Sequence, residues 1–216
     1  MFETSKVRIF FQGRVEKYDS IYGKDKKLIW RVLDFIFRRS IQKRFELTLK
    51  ECVNLENKKI LDIGCGPGIY LVTLAKRNPG KIVGLDFSEE MLNQAKKLAK
   101  ANRVSDTCQF INADFRRYIF NEKFDICLAI GLFDYIENPQ AVLEKIRDLC
   151  LDKAIISFPA KWRLRNIVRI IRLKSLRCPV YFYTARQIHD LLNKSGFKSF
   201  DIKTIDRDYF VVAKSN

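Results

Sequence analysis

A chain of 216 residues suits one domain with a substantial core, and 47% hydrophobic against 31% charged residues excludes a disordered polymer. The longest apolar run, Ile126 to Phe133, falls far short of the roughly 20 residues that span a bilayer, which excludes a spanning helix. The net charge of +16 is concentrated in two places: residues 1–59 carry 15 Lys/Arg against 8 Asp/Glu, and residues 160–177 carry 7 against none, while residues 60–159 balance at 13 against 13.

The first 55 residues are mainly helical in pattern. Ile29, Val32, Leu33, Ile36 and Phe37 recur at helical spacing, with Lys27, Arg31 and Arg38 between them. The opening residues lack the apolar stretch of a secretory signal, so a cytoplasmic protein is expected. From residue 58 strands and helices alternate. Residues 59–63 form a short buried strand ending in a glycine turn, and residues 69–78 a helix stopped by Pro79 and Gly80. Residues 81–86 form the second strand. Ser88 then caps a helix to about Asn102, with Glu89 and Glu90 favourably placed in its first turn.

Residues 108–112 and 124–130 are the third and fourth strands. A helix over 139–151 leads into a strand over 153–158. A helix over 184–194 ends at Gly196, and residues 200–205 and 209–213 form an antiparallel hairpin. The alternation predicts an α/β fold, with a mostly parallel sheet covered by helices on both faces. The six cysteines (Cys52, Cys65, Cys108, Cys127, Cys150 and Cys178) contain no Cys-x-x-Cys pair, and only one histidine accompanies them. They read as reduced, small hydrophobes rather than a disulfide framework or a metal site, so no metal is expected.

The strongest motif is Ile60-Leu-Asp-Ile-Gly-Cys-Gly-Pro-Gly68. Glycine at 64 and 66 lets the backbone approach a ligand, and the next helix aims its N-terminal amides at whatever binds there. Asp62, at the strand end, can bond a cationic ammonium. The dinucleotide fingerprint Gly-x-Gly-x-x-Gly is not met, because its third position is Ile69, and no Gly-Lys-Ser/Thr marks a phosphate loop.

The motif resembles motif I of the class I, Rossmann-like S-adenosylmethionine-dependent methyltransferases. Further segments follow in that family's order. Asp86 ends the second strand about 20 residues past the glycines, where an acidic residue takes ribose hydroxyls. Asn112-Ala-Asp-Phe115 resembles the adenine-contacting segment, and residues 124–135 resemble the fourth-strand motif beside the methyl-transfer site. The resemblance covers residues 58–158. It implies a doubly wound, seven-stranded sheet with an antiparallel last strand, plus an N-terminal helical extension (1–55), a basic insert (160–183) and a C-terminal helix and hairpin (184–216). It implies S-adenosylmethionine as cofactor, held by Asp62, Gly64, Cys65, Gly66, Gly68, Asp86, Phe87, Met91, Ala113, Asp114, Phe115, Ile130 and Leu132. Tyr22, Phe133, Tyr135, Trp162, Tyr181 and Tyr183 are the expected acceptor wall or lid.

Methyl transfer from a sulfonium needs a base only when the acceptor must lose a proton. No general base stands out. His189 has the pattern of a surface helix position, and Tyr18, Asp134 and Tyr135 are the polar candidates. Markers of base methylation are missing: Gly131-Leu-Phe-Asp-Tyr135 stands where Asn/Asp-Pro-Pro-Tyr/Phe is expected, and Cys178 precedes Pro179 rather than following a proline. In the insert, Leu164, Ile167, Val168 and Ile171 share one helical face, and Arg165, Arg169 and Arg172 another. That pattern fits a lid over an acceptor, a helix lying on an anionic inner-membrane surface, or a nucleic-acid contact. Three functions remain open: transfer to a small-molecule or lipid-like acceptor, hydrophobic or aromatic and similar to those of the magnesium-protoporphyrin and quinone-type groups; transfer to RNA or protein; and cofactor binding without catalysis.

Overall fold

The computed structural model describes residues 28–161 and 180–215, with side chains from residue 40 onward in the first segment. Helix α1 (Leu28–Glu51) precedes the alternating region. Then come β1 (Lys59–Ile63), α2 (Ile69–Ala75), β2 (Lys81–Asp86), α3 (Glu89–Ala101), β3 (Cys108–Asn112) and β4 (Phe124–Ala129). A short 3-10 turn (Phe133–Tyr135), α4 (Pro139–Leu149), β5 (Cys150–Pro159), α5 (Ala185–Lys194), β6 (Ser199–Ile205) and β7 (Asp208–Lys214) complete it.

The seven strands form one sheet in the order β3-β2-β1-β4-β5-β7-β6. The pairs from β3 to β5 are parallel, and β7 runs antiparallel to both β5 and β6. This is the Rossmann-like, seven-stranded sheet with an antiparallel last strand. The central strands are buried on both faces: in β1 all residues after Lys59 are buried, and in β2 all after Lys81. The edge strands β3 and β6 are only partly covered. One core lies on the face of α4 and α5, around Phe133, Leu143, Ile146, Phe158 and Ile188; the other lies on the opposite face, around Ile60, Leu71, Leu74, Ile82 and Phe210.

Local chemistry sets the boundaries. Ser88 caps α3 by accepting the Met91 amide. Thr184 and Gln187 form a full capping box on α5. Pro139 opens α4. Helix α2 ends at Ala75, earlier than the expected Asn78, because Asn78 takes φ 52 before the proline is reached. Strand β4 stops at Ala129, one residue early, as Gly131 turns the chain with φ 77. The expected end of α4 at residue 151 gives way to strand: Cys150 pairs with Phe124, and a register shift follows before Ile126 pairs with Lys153. The hairpin loop is Asp206 and Arg207, with Asp206 at φ 53. Among the described residues no helix is long and apolar enough to cross a membrane, and the five described cysteines are free.

Candidate active site

The glycine turn joins the C-terminal ends of β1 and β2. The amides of Gly64 and Cys65 both donate to the Leu85 carbonyl, at 2.7 and 3.2 Å. The Gly66 amide donates to Asp86 Oδ2 at 2.9 Å, and the Ser88 amide to Asp86 Oδ1 at 2.9 Å. A Cβ at Gly66 would meet nothing within 4 Å, so that residue faces an open cradle. Gly68 serves packing: its φ is +81, and a Cβ there would lie 2.7 Å from that of Ala95 on α3.

Two carboxylates stand at this turn. Asp62 is 2% exposed, accepts the Leu71 amide, and its Oδ2 has no hydrogen-bond partner among the described residues. Burial, with the charge of Asp86 adding to it, pushes the Asp62 carboxyl up to about 7. Burial also raises Asp86, against the pull of the Ser88, Gly66 and Phe87 amides. Cys65 is buried beneath the turn, its thiol raised by burial and by Asp62. A cation that contacts Asp62 would restore what burial has taken from it.

The Ala113 amide and the Asn112 side chain both donate to the Asp86 carbonyl, at 3.1 and 3.2 Å, which brings the 112–115 segment beside β2. Phe115 is buried, and Lys145 on α4 fixes its surroundings. The Lys145 ammonium donates to the carbonyls of Phe115 and Tyr118 at 2.7 and 2.6 Å, and lies 5.0 Å from the Phe115 ring centre. The Asp114 carboxylate is engaged by Arg116, at 2.8 Å from Nη2 and 3.1 Å from Nε. Burial pushes this carboxyl up, but the Arg116 bonds outweigh it and hold the group below its ordinary value. Phe87 and Ile130 are half-buried, and Met91 is buried. Leu132 reaches the turn, its Cδ1 lying 3.2 Å from the position of a Cβ on Gly64.

The expected acceptor residues divide. Phe133 is fully buried and packs on Phe158 at 4.6 Å between ring centres, so it belongs to the core beneath the site rather than to an open wall. Tyr183 also packs on Phe158, and its hydroxyl donates to the carbonyls of Ile136 and Phe133, at 3.2 and 3.4 Å. Burial, then the Asp134 charge, raise that hydroxyl. Tyr135 and Tyr181 are half-buried, and the Tyr181 amide donates to the carbonyl of buried Asp134 at 3.0 Å. His189 is exposed on α5, bonded to Asn193 and packed on Phe200. Tyr18, Tyr22 and Trp162, with residues 162–179 of the basic insert, lie outside the described residues.

A parallel sheet with a glycine-lined turn and an acidic second-strand end defines a Rossmann-like ligand-binding α/β protein. The methyltransferase domain family model matches residues 54–177. The chain therefore belongs to the methyltransferase domain family, and its fold is that of the class I S-adenosylmethionine-dependent enzymes. The magnesium protoporphyrin IX methyltransferase of Synechocystis, solved with bound S-adenosylhomocysteine, superposes with a TM-score of 0.76 at 18% identity, over 98% of this chain and 99% of that one. The ubiquinone biosynthesis O-methyltransferase of Hydrogenovibrio crunogenus is 28% identical over 44% of this chain and 39% of its own length. The tRNA U34 carboxymethyltransferase of Nautilia profundicola is 26% identical over 74% of this chain and 54% of its own. The chain thus spans between 39% and 54% of the length of these two curated relatives.

Proposed function

We propose that this protein transfers a methyl group from S-adenosylmethionine to a small-molecule acceptor with a hydrophobic or aromatic body. The observation that carries the reading is the buried carboxylate pair at the glycine turn: Asp62 with one oxygen unpartnered, and Asp86 bonded to the Gly66 amide. These residues fit the cofactor. Asp62 Oδ2 suits an ammonium, the open cradle over Gly66 suits a chain passing close to the backbone, and Asp86 sits where ribose hydroxyls bind in folds of this kind. Ala113 and Phe115 would flank the adenine, with Lys145 holding their segment in place. Asp114 would reach the adenine amino group while Arg116 orients it.

S-adenosylmethionine supplies a methyl group already activated by its sulfonium. The work of the chain is then to hold the two reactants in line and dry, and positioning of this kind accounts for much of a displacement's acceleration. Leu132 closes against Gly64, and the core of Phe133, Phe158 and Tyr183 gives the site a rigid floor. The Synechocystis protein is named for magnesium protoporphyrin IX and the Hydrogenovibrio relative for ubiquinone biosynthesis, which supports a small-molecule acceptor here.

The test is a turnover assay with labelled S-adenosylmethionine, offering planar aromatic, lipid and RNA acceptors to the full chain. Label in an aromatic or lipid acceptor is expected. Label in RNA alone, or none in any acceptor despite cofactor binding, would overturn the reading.

A further inference from the structure

A second polar cluster lies at the same edge of the sheet and is used by none of the residues above. It ties α1 to the ends of three strands. Buried Ser40 donates its hydroxyl to Asp208 Oδ2, and Arg44 Nε lies 3.5 Å from the same oxygen. Arg44 Nη1 donates to Ser157 Oγ at 3.4 Å, and that oxygen also accepts the Gly131 amide at 2.8 Å. Asp208 opens β7 and pairs with Pro159, the last residue of β5, so it stands where the parallel strands end. A continuous path links it to the glycine turn: Leu132 against Gly64, Gly131 beside Leu132, then Ser157, Arg44 and Asp208.

Asp208 is 1% exposed, yet its Oδ1 has no hydrogen-bond partner among the described residues. Pinning α1 to the sheet uses only the other oxygen, and a buried oxygen without a donor is costly, so Oδ1 gains from any donor brought to it. Here one oxygen is held by the Ser40 hydroxyl, with the Arg44 guanidinium at ion-pair distance to balance the charge. The other is a rigid, desolvated hydrogen-bond acceptor.

We propose that Asp208 is a specificity-determining residue whose Oδ1 accepts a hydrogen bond from a hydroxyl or amino group of the methyl acceptor. Ser40 and Arg44 act through it as positioning residues. This rests on the methyltransferase reading and narrows it to acceptors that carry a donor. A site built around such a bond rejects an analogue lacking the donor, since its own oxygen is then left unpaired.

The experiment titrates the full chain, saturated with S-adenosylhomocysteine, with catechol, o-phenylenediamine and 1,2-dimethoxybenzene. The wild type is expected to bind the first two at least about tenfold more tightly than the ether. In Asp208→Asn the amide oxygen stays with Ser40 and Arg44, so an amino group replaces Oδ1 and a donor faces a donor. The preference should vanish while S-adenosylhomocysteine affinity holds. Ser40→Ala keeps the carboxylate and loosens it, and should narrow the preference without abolishing it, which keeps the test open if Asp208→Asn folds poorly. Equal affinity for the ether, no binding of any of the three probes, or a preference that survives Asp208→Asn or is untouched by Ser40→Ala, would overturn the proposal. Failure of the wild type to bind S-adenosylhomocysteine is read first, in a separate titration, and would overturn the methyltransferase reading beneath it.

Discussion

The Gly66 amide donates to Asp86 Oδ2 at 2.9 Å, so the acidic end of β2 and the middle of the glycine turn are a single hydrogen-bonded unit. A ligand contacting the Asp86 carboxylate also contacts the group that fixes the turn's shape, and the two cannot be disturbed separately. Asp86→Ala removes the anchor of both the Gly66 and Ser88 amides. S-adenosylhomocysteine affinity is expected to fall at least about tenfold, or about 1.4 kcal/mol, by calorimetry. Unchanged affinity would remove Asp86 from the site.

Gly66→Arg should separate fold from binding. No atom lies within 4 Å of a Cβ at this position, so the side chain starts into open space, at a backbone cost of about 1–2 kcal/mol for φ +52. The variant is expected to remain folded by circular dichroism and to lose S-adenosylhomocysteine binding. Near-normal affinity would refute the cradle.

Gly68→Ala should do the reverse. Its Cβ would lie 2.7 Å from that of Ala95, and its φ is +81. Denaturant titration is expected to show a loss of about 1–3 kcal/mol, as for other overpacked sites. An unchanged midpoint would mean that α2 and α3 move apart freely.

Asp62 sets a pH dependence. Burial raises this carboxyl to about 7, so the folded chain keeps a proton that the unfolded chain has released. The stability gained in this way is present at low pH and lost as pH rises through about 7. Binding of an ammonium runs the other way, because it requires the ionised form. S-adenosylhomocysteine affinity should rise between about pH 6 and about pH 7.5, and Asp62→Asn should flatten that rise. The same slope in the variant would place the titrating group elsewhere.

Residues 162–179 of the basic insert lie outside the described residues, and their prediction comes from charge and pattern. Changing Arg165, Arg169 and Arg172 together to Gln should weaken binding to anionic vesicles in a flotation assay if the insert docks on a membrane. No vesicle binding by the wild type would leave the insert as a lid or a nucleic-acid contact.

The glycine turn and the Ser88 cap were legible in the sequence because each depends on neighbours a few residues away, and Asp86 because it closes a strand 20 residues past Gly66. The Ser40–Asp208 bond was not, since its partners stand 168 residues apart and Asp208 reads locally as part of a hairpin turn. Arg44 is one cation among many in a basic helix, and its contacts with Ser157 and Asp208 set it apart. Phe133 and Tyr183 share the composition of a ligand wall, but composition cannot tell a wall from a floor; their contacts with Phe158 place them in the core. The start of β5 at Cys150 was hidden for a similar reason, because pairing with Phe124 overrides a helical pattern.

The most direct test of the central claim is calorimetric titration of the full chain with S-adenosylmethionine and S-adenosylhomocysteine, with NAD alongside. Binding of both adenosyl ligands at about micromolar affinity, roughly −8 kcal/mol, and none of NAD, is the predicted result. Binding of NAD in preference, or of neither adenosyl ligand, would contradict it.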